Sequence, residues 1–233
     1  MALKRWLPVS ILVLGLALFF ILGGQKYLSF AALKQHYQGL MDFTYEYYSV
    51  SVLIYIGIYI AIVAFSIPGA TIMTLIGGFL FGWFWGTLWV VSSATIGACL
   101  VFLAVKSAFG ESLRHKATGV IHKMRSGFEK NAFNYLLSLR LIPVFTFFVI
   151  NIAAGVLNVK LRDFFWGTLL GILPGSAVYV SVGTGLGHAL SQGQAINLGI
   201  IFELPVLLPV LALALLALMP VMIRQVKRLR RSE

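Results

Sequence analysis

The 233-residue chain has a mean hydropathy of +0.94, 60% hydrophobic residues and 11% charged residues, whereas about a quarter of a soluble domain is charged. This composition excludes an ordinary soluble domain and indicates an integral membrane protein. The net charge of +11 does not indicate nucleic-acid binding, because the Lys and Arg residues lie mostly at the chain ends and between apolar runs, without an interleaved aromatic and basic patch.

The chain contains five apolar stretches separated by four hydrophilic segments. The first stretch, Leu7–Gly24, follows Lys4 and Arg5 and has no small-x-small cleavage site after it, so we interpret it as an uncleaved first span. The other four stretches are Val50–Val105, Ala132–Val159, Phe164–Leu186 and Leu198–Ile223.

The positions of the basic residues predict the topology. The N-terminus, the segment 106–131, the short segment Lys160–Arg162 and the tail 224–231 are basic, so the positive-inside rule places them in the cytoplasm. The segments 25–49 and 187–197 have balanced charges or none, and we expect them outside. We therefore predict a multi-pass protein of the cell inner membrane with both termini cytoplasmic.

The first long apolar run must then cross the membrane an odd number of times. A spanning helix needs about 20 residues, so the rest of this 56-residue run, Val50–Val105, most economically forms a hairpin that enters the membrane and returns to the same face. Four helix-breaking residues in the middle of the run predict the hairpin tip. They are Pro68, Gly69, Gly77 and Gly78.

The next apolar run, Ala132–Val159, begins and ends on the cytoplasmic side and is too short for two spans of about 20 residues each. We predict a second hairpin that bends near Pro143, with Gly155 also assigned to its tip region. Irregular backbone at membrane depth requires surrounding protein or a watery cavity. Both hairpin tips are therefore expected to meet at one internal site.

A repeated tetrapeptide supports this organisation. "FWGT" occurs at Phe84–Thr87 and at Phe165–Thr168, each time after a predicted hairpin and at the start of a predicted span. The topology inverts the second copy relative to the first, as in many transporters. The sequence thus predicts an all-α polytopic fold with four transmembrane helices and two opposed re-entrant hairpins arranged as an inverted repeat. We divide it into an N-terminal anchor and outer loop (1–49), a core (50–187), and a last span with a basic tail (188–233).

Arg140 is the strongest candidate binding residue, because it is the only charge between Asn134 and Gly155. An arginine at membrane depth costs about 3 kcal/mol on insertion scales and usually faces a cavity or a partner. Its guanidinium matches phosphate geometry, so an anionic lipid headgroup is the natural ligand. The alternative is snorkelling to the interface. We assign Asn151 to the same site, where it could donate a hydrogen bond to the headgroup. An equal alternative is that it bonds to backbone groups that the hairpin leaves without a partner.

Small residues in the predicted third span indicate helix packing. Gly167, Gly171 and Gly175 recur every four residues, with Pro174 beside the last, and such faces let helices approach closely. Glu203 is interpreted as interfacial, with proton coupling as the alternative. The segment 106–131 predicts an amphipathic helix that either lies on anionic lipid or packs on the protein.

No motif indicates catalysis or a metal site. His115 and His122 lack a carboxylate cluster and zinc-ligand spacing, and no nucleophile elbow occurs. We therefore predict that the protein is not an enzyme and needs no cofactor or metal.

Three stretches together resemble the DedA superfamily, also called the VTT or SNARE-associated Golgi protein family, and in particular its bacterial branch related to yeast Tvp-type Golgi proteins. They are "SIPGATIMTLIGGFLFG", "LRLIPVFTFFVINIAAG" and "FFWGTLLGILPGSAVYVSVGTGLG", within Tyr48–Gly187. The resemblance implies two facing re-entrant hairpins and lipid translocation, with Arg140 as the family's arginine, Pro143 its bend, and Pro68 and Gly69 the first tip. Proton-coupled members carry an acidic residue near that first proline, and this chain has none.

We accordingly expect the protein to translocate or scramble an anionic, phosphate-bearing lipid between leaflets, with membrane lipids as partners and no nucleic acid. A small-solute or ion transporter and a non-transporting membrane-assembly scaffold are the alternatives. The sequence does not determine the lipid, the direction, the energy source or the oligomeric state, for which a homo-oligomer is one option.

Overall fold

The computed structural model describes residues 2–24, 35–114, 119–141 and 146–191, and within these ranges the chain is helical without strands. This agrees with the all-α prediction. The predicted last span, Leu198–Ile223, and the predicted bend at Pro143 lie outside the described residues. The helices are α1 (Ala2–Ile21), α2 (Tyr37–Glu46), α3 (Tyr48–Ala64), α4 (Ala70–Arg114), α5 (Gly119–Leu141), α6 (Phe147–Val156) and α7 (Leu161–Ser191).

Among the described residues, two helices are long and apolar enough to cross a membrane. They are Ala70–Phe109 and Leu161–His188. A third crossing is added if α2 and α3, which meet at an angle of 119°, count as one bent span. The four-span arrangement with two re-entrant hairpins stays a prediction.

The chain first reverses between α3 and α4, where Pro68 and Gly69 lie. Ser66 adopts a left-handed conformation with φ +55°, its N–H donates to Val63 O and the N–H of Ile67 donates to Ile62 O. This is the Schellman pattern that closes a helix C-terminus. Gly69, at φ +148°, then occupies a conformation that glycine tolerates best. The first predicted tip and the first turn therefore coincide at these two residues.

A second reversal occurs inside α4, at Gly82. Its φ is +72°, and a Cβ on Gly86 would lie 2.6 Å from Gly77 O, although nine residues of straight helix would separate these residues by about 13 Å. The part 70–81 therefore folds back against the part that begins at residue 83. Gly82 was not among the residues predicted to form the hairpin tip.

Gly77 and Gly78 occupy the short helical part 70–81 rather than a turn, which corrects their assignment to the hairpin tip. A Cβ on Gly77 would meet the Tyr55 hydroxyl, and one on Gly78 would meet the backbone carbonyl of Val180. Both glycines serve close helix packing, as small residues commonly do in membrane proteins.

Helix α5 consists of two segments joined at Asn131, which has extended backbone angles (φ −161°, ψ 93°). Asn131 Oδ1 accepts a hydrogen bond of 3.0 Å from the backbone N–H of Asn134. This is an N-cap for the segment 132–141. The preceding segment, 119–130, buries Met124 and Phe128 in the protein core. Of the two interpretations of this amphipathic segment, packing on the protein matches these contacts.

The segment 132–141 and α6 form a short pair. Each has ten residues, or about 15 Å of helix, half of the ~30 Å hydrocarbon thickness. Gly155 lies inside α6, and a Cβ there would meet Val105 and Phe102 O. Its assignment to a hairpin tip is therefore corrected to helix packing. After α6 the chain repeats the Schellman pattern, with Asn158 at φ +56°.

The two long helices meet at the end where the basic segments lie. Lys106 Nζ donates to Val159 O at 2.7 Å, and the rings of Phe102 and Phe164 stack with centroids 4.4 Å apart. The chain between Lys106 and Val159 thus starts and finishes at the same end of these helices. A chain that crosses the membrane an even number of times between Lys106 and Val159 must start and finish on the same side, as it does here.

We call α3 and α4 the first half of the core, and the segment 132–141 with α6 and α7 the second half. Contacts at glycines show how these two halves pack into each other. The short helical part 70–81 packs on α7, where Gly78 faces Val180 and Gly183 faces the backbone of Leu75. The other short helix, α6, packs on the long part of α4 through Gly155. Each half therefore inserts its short helix against the long helix of the other half.

Candidate functional site

The guanidinium of Arg140 is held at the end of α5 by neutral groups from α6 and α7. Nη2 donates to Asn151 Oδ1 at 2.6 Å and to Thr168 Oγ1 at 3.3 Å. Nη1 lies 3.4 Å from the carbonyl oxygen of Phe147, and Cζ lies 4.1 Å from the centroid of the Phe147 ring. The structure thus brings Arg140 and Asn151, the two residues assigned to one site from the sequence, into direct contact.

No described carboxylate contacts Arg140, whose hydrogen-bond partners are Asn151, Thr168 and the backbone carbonyl of Phe147. The buried Nε of Arg140 has no hydrogen-bond partner there either. Burying a charge costs free energy unless it is paired and hydrogen-bonded. The site therefore holds a cation whose hydrogen bonds are partly satisfied by neutral acceptors and whose charge no described residue neutralises.

Helix α7 can approach this arginine because Gly171 faces it. A Cβ on Gly171 would lie 2.5 Å from Arg140 Cβ, and one on Gly167 would lie 3.0 Å from Leu136 Cδ2. These two glycines pack as the four-residue spacing indicates. Gly175 does not, because a Cβ there would meet nothing within 4 Å. Gly175 borders a cavity instead, and Pro174 lies inside α7.

The arginine lies in the wall of a cavity of about 570 Å³ between the two halves. The turn after α3 and the start of α4 form one side, and the end of α5, α6 and α7 form the other. The polar residues of its lining are Tyr59, Ser66, Thr71, Thr74, Arg140, Asn151, Ser176 and Tyr179. No lining residue among those described is acidic. The cavity therefore combines one cation with hydroxyl and amide groups.

Three lining residues mark the opening of the cavity at the protein surface. Thr71, Phe148 and Tyr179 are exposed and belong to α4, α6 and α7. All three lie in apolar helices.

Tyr59 and Thr74 connect the two arms of the first turn beside the cavity. Their hydroxyl oxygens are 2.7 Å apart, and Thr74 Oγ1 donates its hydrogen to Ala70 O at 2.9 Å. A hydroxyl has one hydrogen, so Tyr59 must donate to Thr74. Tyr55 is fixed in the same way, by donation to Met73 O at 2.7 Å. These bonds hold the short helical part 70–81 against α3.

Sequence reasoning did not assign Thr168, Tyr59 or Thr74 to the site. Thr168 is fully buried and belongs to the second FWGT copy, which was read only as a repeat marker. Tyr59 and Thr74 are polar residues in apolar helices. Their polarity in this setting is the sequence feature that could have marked them as site residues. Among the described residues, no group of three or more His, Cys, Asp or Glu side chains could hold a metal ion.

The amino-acid sequence matches the family model of the VTT domain over residues 67–185, about half of the chain. This region contains Pro68 and Gly69 of the first turn, both FWGT copies, Arg140 and most of the cavity lining. No solved structure matches the chain.

Curated relatives of the chain include transmembrane proteins of eukaryotes. The chain is 33% identical over 157 residues to the transmembrane protein 41 homolog of Caenorhabditis elegans, covering 66% of this chain and 63% of that protein. It is 31% identical over 170 residues to transmembrane protein 41B of Mus musculus, covering 71% and 56%. A transmembrane protein 41 homolog of Dictyostelium discoideum is 29% identical over 194 residues, covering 80% and 55%.

The chain thus spans somewhat more than half of the length of the relatives it matches. The match of the domain model, the helical fold and the apolar helices agree with the motifs quoted from the sequence. The protein is a membrane protein of the VTT domain family, within the DedA/VTT superfamily.

Proposed function

We propose that this protein translocates an anionic, phosphate-bearing lipid between the leaflets of the cell inner membrane. The observation that carries the proposal is Arg140, which lines the cavity between the two halves while its recorded partners, Asn151, Thr168 and the Phe147 carbonyl, are all neutral. A cation in this state can take one further anionic partner.

A lipid phosphate supplies the charge that the site lacks. Hydrogen bonds between guanidinium and phosphate are charge-assisted and about twice as strong as those between neutral groups. The neutral partners leave Nε without an acceptor, and they orient the guanidinium before the lipid arrives. Binding then neutralises Arg140 without first breaking a protein ion pair.

The form of the cavity favours a lipid over a small solute. Its exposed border residues, Thr71, Phe148 and Tyr179, lie on apolar helices, so a headgroup can enter from the side while its acyl chains stay in the bilayer. Hydroxyl groups along the lining replace part of the water that the headgroup loses. The protein lowers the cost of moving the phosphate through the hydrocarbon region, and the chains need no binding site in the cavity.

The absence of acidic residues from the described lining favours a passive mechanism. Proton-driven transport generally uses an intramembrane carboxylate or histidine, and Arg140 is the sole ionisable group of the lining that could hold a charge near neutral pH. We therefore propose scrambling along the lipid gradient, with no chemical step and no cofactor.

Reconstitution tests the proposal. Wild-type protein in vesicles should accelerate the leaflet exchange of a fluorescent phosphatidylglycerol over protein-free vesicles, and Arg140→Ala should reduce this by about tenfold or more, because a charged hydrogen bond contributes ~1.5–3 kcal/mol. Arg125→Ala is the matched control, because Arg125 is a partly exposed arginine that pairs with Glu129 away from the cavity.

Circular dichroism and size-exclusion profiles establish that each variant is folded. Wild-type protein without activity would contradict translocation and support a scaffold. Exchange that persists in folded Arg140→Ala would show that the arginine does not bind the headgroup. Stabilisation by a soluble anion, without lipid exchange, would support the alternative of a solute transporter.

A further inference from the structure

A second cavity lies on the outside of the helix bundle, between α4 and α7, and does not share a lining residue with the first. It measures about 430 Å³. Leu100 and Leu103 of α4 and Leu161 of α7 line it and are 43–45% exposed. Ile96, Cys99, Arg162 and Phe165 complete the lining. We call this cavity the lateral groove.

The lateral groove lies within a single leaflet. The residues from Ile96 to Leu103 cover about 10 Å of helix, which is less than the ~15 Å of one leaflet in a hydrocarbon core of ~30 Å. Leu103 lies near the end of the apolar helix Ala70–Phe109, and Leu161 is the first residue of the apolar helix Leu161–His188. The groove therefore starts at the membrane surface that carries the basic segments and runs toward the membrane centre.

The surface end of the lateral groove is positively charged. Arg162 lines it, and the neighbouring Lys160 is also exposed. Neither side chain forms a hydrogen bond or an ion pair with another described residue. Asp163 follows in the first turn of α7 but does not line the groove. The first turn of a helix adds a partial positive charge.

An apolar channel in one leaflet that ends at a guanidinium without a partner among the described residues matches the shape and charge of one lipid. We infer that the lateral groove is a binding site for a resident anionic phospholipid, with one acyl chain between α4 and α7 and its phosphate on Arg162. The bound lipid would fill the lateral groove and hold the ends of α4 and α7 together. This site does not depend on the proposed translocation.

The chain carries a natural reporter for the site. Cys99 is its single cysteine and lines the lateral groove, so a chain in the groove shields its thiol from reagents. The experiment measures the rate at which N-ethylmaleimide modifies Cys99, by intact mass, in purified protein in detergent. Dioleoyl phosphatidylglycerol and dioleoyl phosphatidylcholine are added in parallel series, because they share their chains and differ in charge.

Phosphatidylglycerol should slow the modification about tenfold more than phosphatidylcholine does, which corresponds to one charge-assisted contact. Arg162→Gln should abolish the difference, whereas Arg125→Gln should preserve it. Leu100→Trp, which fills the groove, should slow the modification without any lipid. Inorganic phosphate should give no protection.

Three results would overturn the inference. Equal protection by the two lipids would show that the groove holds only unselected bilayer lipid. Protection by phosphatidylglycerol that persists in Arg162→Gln would place the headgroup elsewhere. Protection that rises with protein concentration, and not with lipid, would show that a second copy of the chain covers the groove.

Discussion

Replacing Asn151 by aspartate should block the proposed lipid exchange while leaving the stability of the protein nearly unchanged. Asn151 Oδ1 accepts the shortest recorded hydrogen bond of Arg140, 2.6 Å from Nη2, and both residues line the cavity. Asn151→Asp keeps the size and the acceptor while adding the negative charge that the site lacks. The variant therefore supplies internally the anion that we assign to the lipid.

The magnitude follows from the distance. Two unit charges 2.6 Å apart attract by about 6 kcal/mol at an effective dielectric constant of 20, and desolvation of the new carboxylate offsets several kcal/mol of this. We expect the free energy of unfolding to stay within about 1 kcal/mol of wild type. A lipid phosphate must now compete with a fixed carboxylate, so exchange should fall by about tenfold or more, each factor of ten being about 1.4 kcal/mol.

Asn151→Leu provides the comparison, because it removes the acceptor without adding charge. It should lower the free energy of unfolding by about 1–3 kcal/mol, the cost of leaving a buried polar group unsatisfied. Thermal unfolding in detergent and exchange of fluorescent phosphatidylglycerol in vesicles measure the two quantities. If Asn151→Asp is folded and exchanges lipid at the wild-type rate, Arg140 does not pair with the substrate phosphate.

Three further predictions concern the framework of the site. Gly171→Val should destabilise the protein by about 1–3 kcal/mol through overpacking against the arginine stem, whereas Gly175→Ala, with open space at the Cβ, should be tolerated in the same thermal assay. Gly78→Ala should disrupt packing against the α7 backbone and shift the unfolding midpoint down, while Gly57→Ala, whose Cβ meets nothing, should raise it or leave it unchanged. Asn131→Ala should lower the free energy of unfolding by about 1 kcal/mol through loss of the N-cap, whereas Asn131→Asp should keep the cap and the wild-type stability. Equal thermal unfolding midpoints for the two variants would show that the cap does not stabilise α5.

Charge distribution and segment length predicted the features that depend on local sequence. Pro68 and Gly69 lie at a turn, as expected where a proline and a glycine are adjacent in the sequence. The ten-residue helices after Asn131 follow from an apolar run that is too short for two spans. The Pro-Gly pair was the signal for the turn, and the length of the apolar run was the signal for the short helices.

Features that depend on contacts between distant segments were not predictable in this way. Gly77, Gly78 and Gly155 were assigned to tips, but each packs against another helix. Gly82, which does reverse the chain, has no sequence signal that distinguishes it from them. A glycine permits both a left-handed turn and a close helix contact, and only the neighbouring helix decides which one occurs.

In the candidate site, too, some residues could be predicted from the sequence and others could not. Arg140 was identifiable because a charge in an apolar run has few explanations, and Asn151 because it lies one hairpin arm away. Thr168, Tyr59 and Thr74 reach the site from other helices, and their hydroxyls differ little in sequence from the many that bond to their own helix, as that of Thr87 does. Their roles follow from the interlocking of the two halves.

The central claim is that Arg140 recognises the phosphate of a translocated lipid. The most direct test compares leaflet exchange of a fluorescent phosphatidylglycerol with that of a phosphate-free glycolipid with the same chains, in wild type and in Arg140→Gln. Wild-type protein should favour the phosphate lipid by about tenfold, as expected for one charged contact, and the variant should lose that preference. Equal rates for the two lipids in wild type, or an unchanged preference in folded Arg140→Gln, would contradict the claim.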